Sequence, residues 1–180
     1  MRGCWILVCG PSGAGKDSVL AWAQRALHDH PRICFARRLV TRAPEPGCDH
    51  DEVNAAGMEA LRRRGGLAWE WQAHGLEYGV RSEYAERVRA GELVVVNGSR
   101  EHAREQAGRP DLRCVLVTAP PRVLCARLHS RGREDSKSIS LRMARNAGLP
   151  APFADRVIMN DGALDAAGVQ LRDYLKELAG

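Results

Sequence analysis

No apolar run in the chain approaches the length of a membrane span, and the opening segment 1–9 is a short strand-like stretch without a signal-peptide cleavage pattern. These absences predict a protein that stays in the cytoplasm and has no membrane partner. Six cysteines (Cys4, Cys9, Cys34, Cys48, Cys114 and Cys125) form no C-x-x-C pair, and none has a histidine at zinc-ligand spacing. A structural zinc site is therefore not expected, and the cysteines read as reduced, mostly buried thiols. Internal repeats are absent, which excludes a solenoid. There is also no basic tail. The formal charge of +5 and the pI near 9.1 come from arginines spaced through the chain, a distribution that an anionic small substrate explains without nucleic acid.

What is present is a globular balance, 44% hydrophobic and 27% charged residues, which argues against disorder and against a coiled coil. A length of 180 residues buries a sizeable core but leaves no room for two independent domains with long linkers. Trp5 to Val8 is a compact apolar run bounded by Gly10 and Pro11, followed by a helical pattern with Val19, Leu20, Ala23 and Leu27. This reads strand, loop, helix. One further element is predicted around Ile33 to Val40, ending in a loop forced by Pro44, Pro46 and Gly47. Met58 to Arg64 and Glu83 to Ala90 read as helices. Between them Trp69 to Tyr78 is aromatic-rich, an irregular or β subdomain on the substrate side. Leu93 to Val96, Cys114 to Val117 and Arg156 to Met159 read as strands, with helices starting near Pro121 and running from Leu164 to Leu178. The alternation predicts a doubly wound α/β fold with a central parallel sheet.

Gly10, Pro11, Ser12, Gly13, Ala14, Gly15 and Lys16 match G-x-x-x-x-G-K, between an apolar strand and a helix start. Glycines let several backbone N–H groups converge on one phosphate, the helix N-terminus adds a favourable dipole, and Lys16 reaches the outer phosphates. The expected ligand is a nucleoside triphosphate. A hydroxyl residue usually follows the lysine and contacts magnesium, but here it is Asp17, with Ser18 one place later. Asp17 has two readings: a hard oxygen ligand for the metal, or a negative charge capping the helix. Strand Leu93 to Val96 ends at Asn97 without an aspartate to hold metal, so the nucleotide and water are expected to hold most of the magnesium.

Thr41, Arg42 and Pro44, the Tyr78–Gly79 step, and Arg131, Gly132, Glu134, Ser138, Ile139 and Arg142 together resemble the guanylate kinase pattern. There the T-R-x-P loop and the tyrosine grip the acceptor phosphate, and the arginine-rich segment is a lid. Val157 to Asp161 resembles the stretch beside the adenine, which brings Asn160 into the nucleotide site. Three departures lie on the acceptor side. Asn97 replaces a carboxylate that reads guanine, Arg38 replaces a small hydroxyl residue, and Glu45 replaces an arginine; Glu70 remains as a second guanine-reading carboxylate. The wording from Trp71 to Gly79, from Val94 to Arg100, at Asp49–His50 and in Lys16–Asp17–Ser18 looks like the ribose 1,5-bisphosphate phosphokinase family, which shares the guanylate kinase fold. The resemblance spans the chain. It implies a P-loop nucleoside triphosphate hydrolase fold with acceptor-binding and lid insertions: one kinase domain over 1–180, core at about 1–35, 91–130 and 146–180, acceptor region at about 36–90, lid at about 131–145.

The resemblance implies ATP and Mg2+ as cofactors, a sugar phosphate as the small-molecule partner, and a monomer or homodimer. The reaction it implies converts ribose 1,5-bisphosphate and ATP into 5-phosphoribosyl 1-diphosphate and ADP. An acceptor phosphate oxygen is already ionised at neutral pH, so charge compensation and alignment are the tasks. Lys16, Arg131 and Arg142 are the expected catalytic set. Arg38 and Arg42 suit planar oxygen pairs. Gln72, His74 and Asn97 either hydrogen-bond ribose hydroxyls or, for Gln72 and His74, lie at the surface. Trp69 and Trp71 either wall the site or fill core, while His28 and His102 read as helix-surface residues. The rivals are phosphorylation of GMP, and, in another class, a non-catalytic guanylate kinase-like binding module.

Overall fold

The computed structural model describes residues 2–43, 49–73, 75–130, 140, 141, 143, 144 and 153–180. Strand β1 (Cys4–Cys9) lies at the centre of a five-stranded parallel sheet whose order is β2, β7, β1, β8, β9, formed with β2 (Ile33–Phe35), β7 (Leu93–Asn97), β8 (Leu112–Thr118) and β9 (Arg156–Met159). A central parallel strand is covered on both faces, and its side chains alternate between them. Ile6 and Val8 enter one core with Val19, Ala23, Val115, Ile158, Leu171 and Leu175, while Trp5, Leu7 and Cys9 enter another with Trp69, Trp71, Val80 and Val96. The apolar run of β1 therefore knits two cores together.

The first core is roofed by α1 (Lys16–Ala26), α5 (Pro121–Ser130) and the C-terminal α6 (Leu164–Ala179). Helices α1 and α6 approach closely at Gly168, where a Cβ atom would overlap the Trp22 ring; the indole Nε1 in turn donates to Asp165 at 2.7 Å. On the second face sit α3 (Glu83–Arg89), α4 (Arg100–Glu105) and a four-stranded sheet of order β4, β3, β6, β5. That sheet comprises β3 (Arg38–Val40), β4 (His50–Glu52), β5 (Leu67–Ala73) and β6 (Leu76–Arg81), with α2 (Ala55–Arg63) capped by the Asn54 side chain at the Gly57 amide, 2.7 Å.

The expected single element from Ile33 to Val40 is two strands in two different sheets, because β2 pairs with β7 while β3 turns away to pair with β6. Strand β4 and helix α4 were not anticipated. Of the described cysteines, Cys9, Cys34 and Cys114 are buried, Cys4 and Cys125 half-buried, and all are free thiols. No helix of the described residues is long and apolar enough to cross a membrane.

Candidate active site

The carboxyl ends of the parallel strands converge on the phosphate loop, the usual location of a ligand crevice in an open α/β sheet. Strand β1 delivers Gly10 to Gly15, and α1 begins at Lys16. Gly13 and Gly15 have φ of 87° and 76°, a region that glycine enters without steric cost. The loop is braced from the end of β9: Asn160, 3% exposed, donates its side-chain amide to the Ala14 carbonyl at 2.7 Å. Its main-chain carbonyl accepts from Arg127 at 2.8 Å. Asn160 thus buttresses the loop from behind. Pro11 accepts from the Ala14 amide at 3.1 Å, closing the turn.

Strands β1 and β7 are neighbours, with Val8 opposite Asn97, which sets Asn97 beside the first turn of α1. Its side-chain oxygen accepts from the Lys16 ammonium, and its side-chain nitrogen donates to Asp17 Oδ1 at 2.8 Å. Lys16 Nζ is itself 3.1 Å from that Asp17 oxygen. The Lys16 ammonium beside Asp17 holds its carboxyl far below the usual carboxylate range. Burial pulls Lys16 down, against the opposing pull of Asp17. Asp17 is the acidic residue in the first turn of α1, where its charge complements the helix N-terminus, although Gly15 occupies the cap position and no side chain makes a cap hydrogen bond. Ser18 is exposed on the helix.

Arg38 starts β3 and faces this group; its charge acts on both Lys16 and Asp17. Its guanidinium carbon lies 5.6 Å from the centre of the Tyr78 ring. The following loop is fixed at two points. Thr41 exchanges hydrogen bonds with Glu77, its hydroxyl accepting from the Glu77 amide at 2.9 Å and its amide donating to the Glu77 carbonyl at 3.1 Å. His50, 2% exposed, brings Nε2 to 3.1 Å from the carbonyl of Arg42. These anchors fix the backbone of the loop that carries exposed Arg42. Behind it, Asp51 pairs with Arg37 and, at 2.5 Å, with Arg81, while Asp49 lies 3.3 Å from Arg37.

A phosphate chain fits this cradle: two positive-φ glycines, a helix N-terminus and a mostly buried ammonium meet at one point. Among the described residues, Asp17 is the carboxylate beside Lys16 that a divalent metal could use, and no group of three acidic, histidine or cysteine side chains forms a metal cluster. Residues 6–147 match the family model for an AAA domain. A protein from Methylobacterium radiotolerans named ribose 1,5-bisphosphate phosphokinase PhnN is 41% identical over 179 residues, covering 98% of this chain and 99% of that protein. This chain belongs to the ribose 1,5-bisphosphate phosphokinase family. A relative of the same name from Pseudofrankia inefficax is also 41% identical, covering 99% of this chain and 93% of that protein. Among solved structures, the guanylate kinase from Anaplasma phagocytophilum matches with a TM-score of 0.68 over 98% of this chain and 86% of that one. At 17% identity the likeness is one of fold.

In this ribose bisphosphate phosphokinase family member the candidates drawn from sequence do not all meet. Lys16, Asp17, Asn97 and Arg38 cluster, with Tyr78 beside Arg38. Glu70 and Gln72 do not join them. Trp71 lies opposite Tyr78 and stacks on it at 5.2 Å, so the pleat sends Glu70 and Gln72 to the other face. There Glu70 accepts from Arg62 at 2.7 Å, and Gln72 is exposed opposite Glu77. Trp69 and Trp71 fill core instead of walling the site. His102 is 1% exposed, contrary to a surface position, because α4 turns it inward between Trp69 and Trp71. Sequence reading missed the bracing roles of Asn160 and Arg127 and the clamp of Asp51. Arg131, Arg142 and His74, together with Pro44 and Glu45, lie outside the described residues.

Proposed function

We propose that this chain transfers the terminal phosphoryl group of ATP to the 1-phosphate of ribose 1,5-bisphosphate, giving 5-phospho-α-D-ribose 1-diphosphate and ADP. The bond from the γ-phosphorus to its bridging oxygen breaks as the bond to an acceptor phosphate oxygen forms. No proton has to be removed from the nucleophile, so the site needs cations in the right places and little else. Lys16 neutralises the nucleotide phosphates, and Arg38 faces them across the gap where two polyanions must meet. Arg42 and Tyr78 take the acceptor's phosphates, and Arg131 and Arg142 close over the transfer and exclude water. Bound Mg2+, for which Asp17 is the candidate ligand, would screen the charge between the β- and γ-phosphates. The role fits phosphonate degradation and supply of the diphosphate for NAD precursors, by a cytoplasmic monomer or homodimer.

The observation that carries this reading over phosphorylation of GMP is the state of the two guanine-reading positions. Position 97 is an amide committed to Lys16 and Asp17, and Glu70 is paired with Arg62 on the far face of its sheet. Neither presents a carboxylate to a base. The purified protein with Mg-ATP forms ADP at least about a hundredfold more efficiently with ribose 1,5-bisphosphate than with GMP, the scale expected when a polar substrate group meets no partner. Product analysis shows the 1-diphosphate. A preference for GMP overturns the assignment.

A further inference from the structure

Lys16, Asp17 and Asn97 form a closed ring of three side chains. The Lys16 ammonium donates to the Asn97 side-chain oxygen, the Asn97 nitrogen donates to Asp17 at 2.8 Å, and the same Asp17 oxygen lies 3.1 Å from Lys16. Lys16 and Asp17 stand on the first turn of α1, whereas Asn97 ends β7, in register with Val8 of the central strand. The sheet thus supplies the fixed member of the ring, and the helix the two charged ones. Position 97 must accept from an ammonium and donate to a carboxylate at once. A short carboxamide does both. A carboxylate there would accept from Lys16 but oppose Asp17 with a like charge, and an alkyl group would satisfy neither partner.

We propose that Asn97 is a positioning residue for the phosphate-binding ammonium: it ties Asp17 and Lys16 to the sheet, so that Lys16 is already aimed when the nucleotide arrives. Position 97 then serves the donor side of the reaction through Lys16, where sequence alone had placed it among the acceptor contacts. Positions 17 and 97 form one unit, and neither can change its polarity alone. This rests on the phosphate-loop part of the proposed function and not on the identity of the acceptor.

The test is ATP binding, measured by calorimetry in EDTA with no acceptor, on Asn97→Ala and on a cycle of Asp17→Asn, Asn97→Asp and the double variant. Asn97→Ala weakens ATP binding about tenfold, the scale of one or two lost hydrogen bonds to charged groups. Asn97→Asp weakens it at least as much. Adding Asp17→Asn to that variant rebuilds the ring with donor and acceptor exchanged and returns affinity to within about threefold of the parent, whereas Asp17→Asn on the parent brings no comparable gain. Two results overturn the proposal. One is unchanged ATP affinity in Asn97→Ala with a raised KM for the acceptor, the signature of an acceptor contact. The other is an equal fold-effect of Asp17→Asn in both backgrounds, the signature of net charge alone. Should Asn97→Ala fail to fold, the cycle decides by itself. A wrong acceptor would fail the comparison with GMP and leave this cycle intact.

Discussion

Gly15 joins the phosphate loop to α1 under two constraints at once. Its φ of 76° costs an L-residue about 1–2 kcal/mol, and a Cβ atom there would sit 2.5 Å from the Asn160 side-chain nitrogen. Gly15→Ala therefore strains the turn and pushes the Asn160 amide off the Ala14 carbonyl. ATP affinity in this variant falls at least about tenfold, since an aligned cradle of N–H groups loses most of its value when one turn is displaced. Asn160→Ala in the same background relieves the overlap but not the strained φ, so titration recovers only part of the loss. An affinity within twofold of the parent in Gly15→Ala would count against the bracing of the loop. The glycine was legible in sequence because its motif is local. Its partner was not, because Asn160 lies 146 residues from the carbonyl it holds. The same applies to Asn97, 80 residues from Asp17.

Among the elements, those whose pattern is local and strongly apolar were readable: β1, β7, β8, α1 and the C-terminal helix. The boundary between β2 and β3 was not, because Ala36 and Arg37 carry no glycine or proline to mark the place where the chain changes sheets. Helix α4 does carry a signal, Ser99 accepting from the His102 amide at 3.0 Å as its cap, but a helix of six residues shows too little periodicity to be seen. Strand alternation sets Glu70 and Gln72 on the face opposite Trp69 and Trp71, but which of the two faces meets Arg38 depends on the β5–β6 and β3–β6 pairing, which no local pattern specifies. Packing between elements gives its own prediction at Gly168. Alanine there gains about 1 kcal/mol of helix propensity. It also drives a methyl group into the Trp22 ring, held by Asp165, and overpacking of this kind costs about 1–3 kcal/mol. The overlap is deep and involves ring atoms near the Cβ, so the loss prevails. Gly168→Ala melts below the parent, and a compensating Trp22→Leu raises the melting temperature again in calorimetry.

At the scale of the molecule, a ladder of rings ties the four-stranded sheet to the central one. Trp5 of β1 meets Trp69 of β5 at 4.4 Å, Trp69 meets His102 edge-on at 5.4 Å, His102 stacks on Trp71 at 4.4 Å, and Trp71 stacks on Tyr78 beside Arg38. The candidate acceptor face is thus coupled mechanically to the core through an imidazole. Neither ring nitrogen of His102 has a hydrogen-bond partner among the described residues, although Nδ1 is 3.5 Å from a Glu105 carboxylate oxygen. Burial holds this imidazole below its usual value; Glu105 pulls the other way, and the charge of Arg109 adds to the lowering. The unfolded chain takes up a proton at His102 near pH 6.5, while the folded one does not until lower pH. A folded pKa lowered in this way contributes stability that is complete above about pH 6.5 and drains away as pH falls toward the folded value, by at most about 1.4 kcal/mol per pH unit. Urea unfolding followed at pH 7.5, 6.5 and 5.5 shows that decline in the parent. His102→Phe keeps the stack and the volume but has no proton to bind, so its stability matches the parent at pH 7.5 and falls less at pH 5.5. An identical acid slope in both proteins would assign the decline to other groups and leave His102 a purely steric member of the ladder.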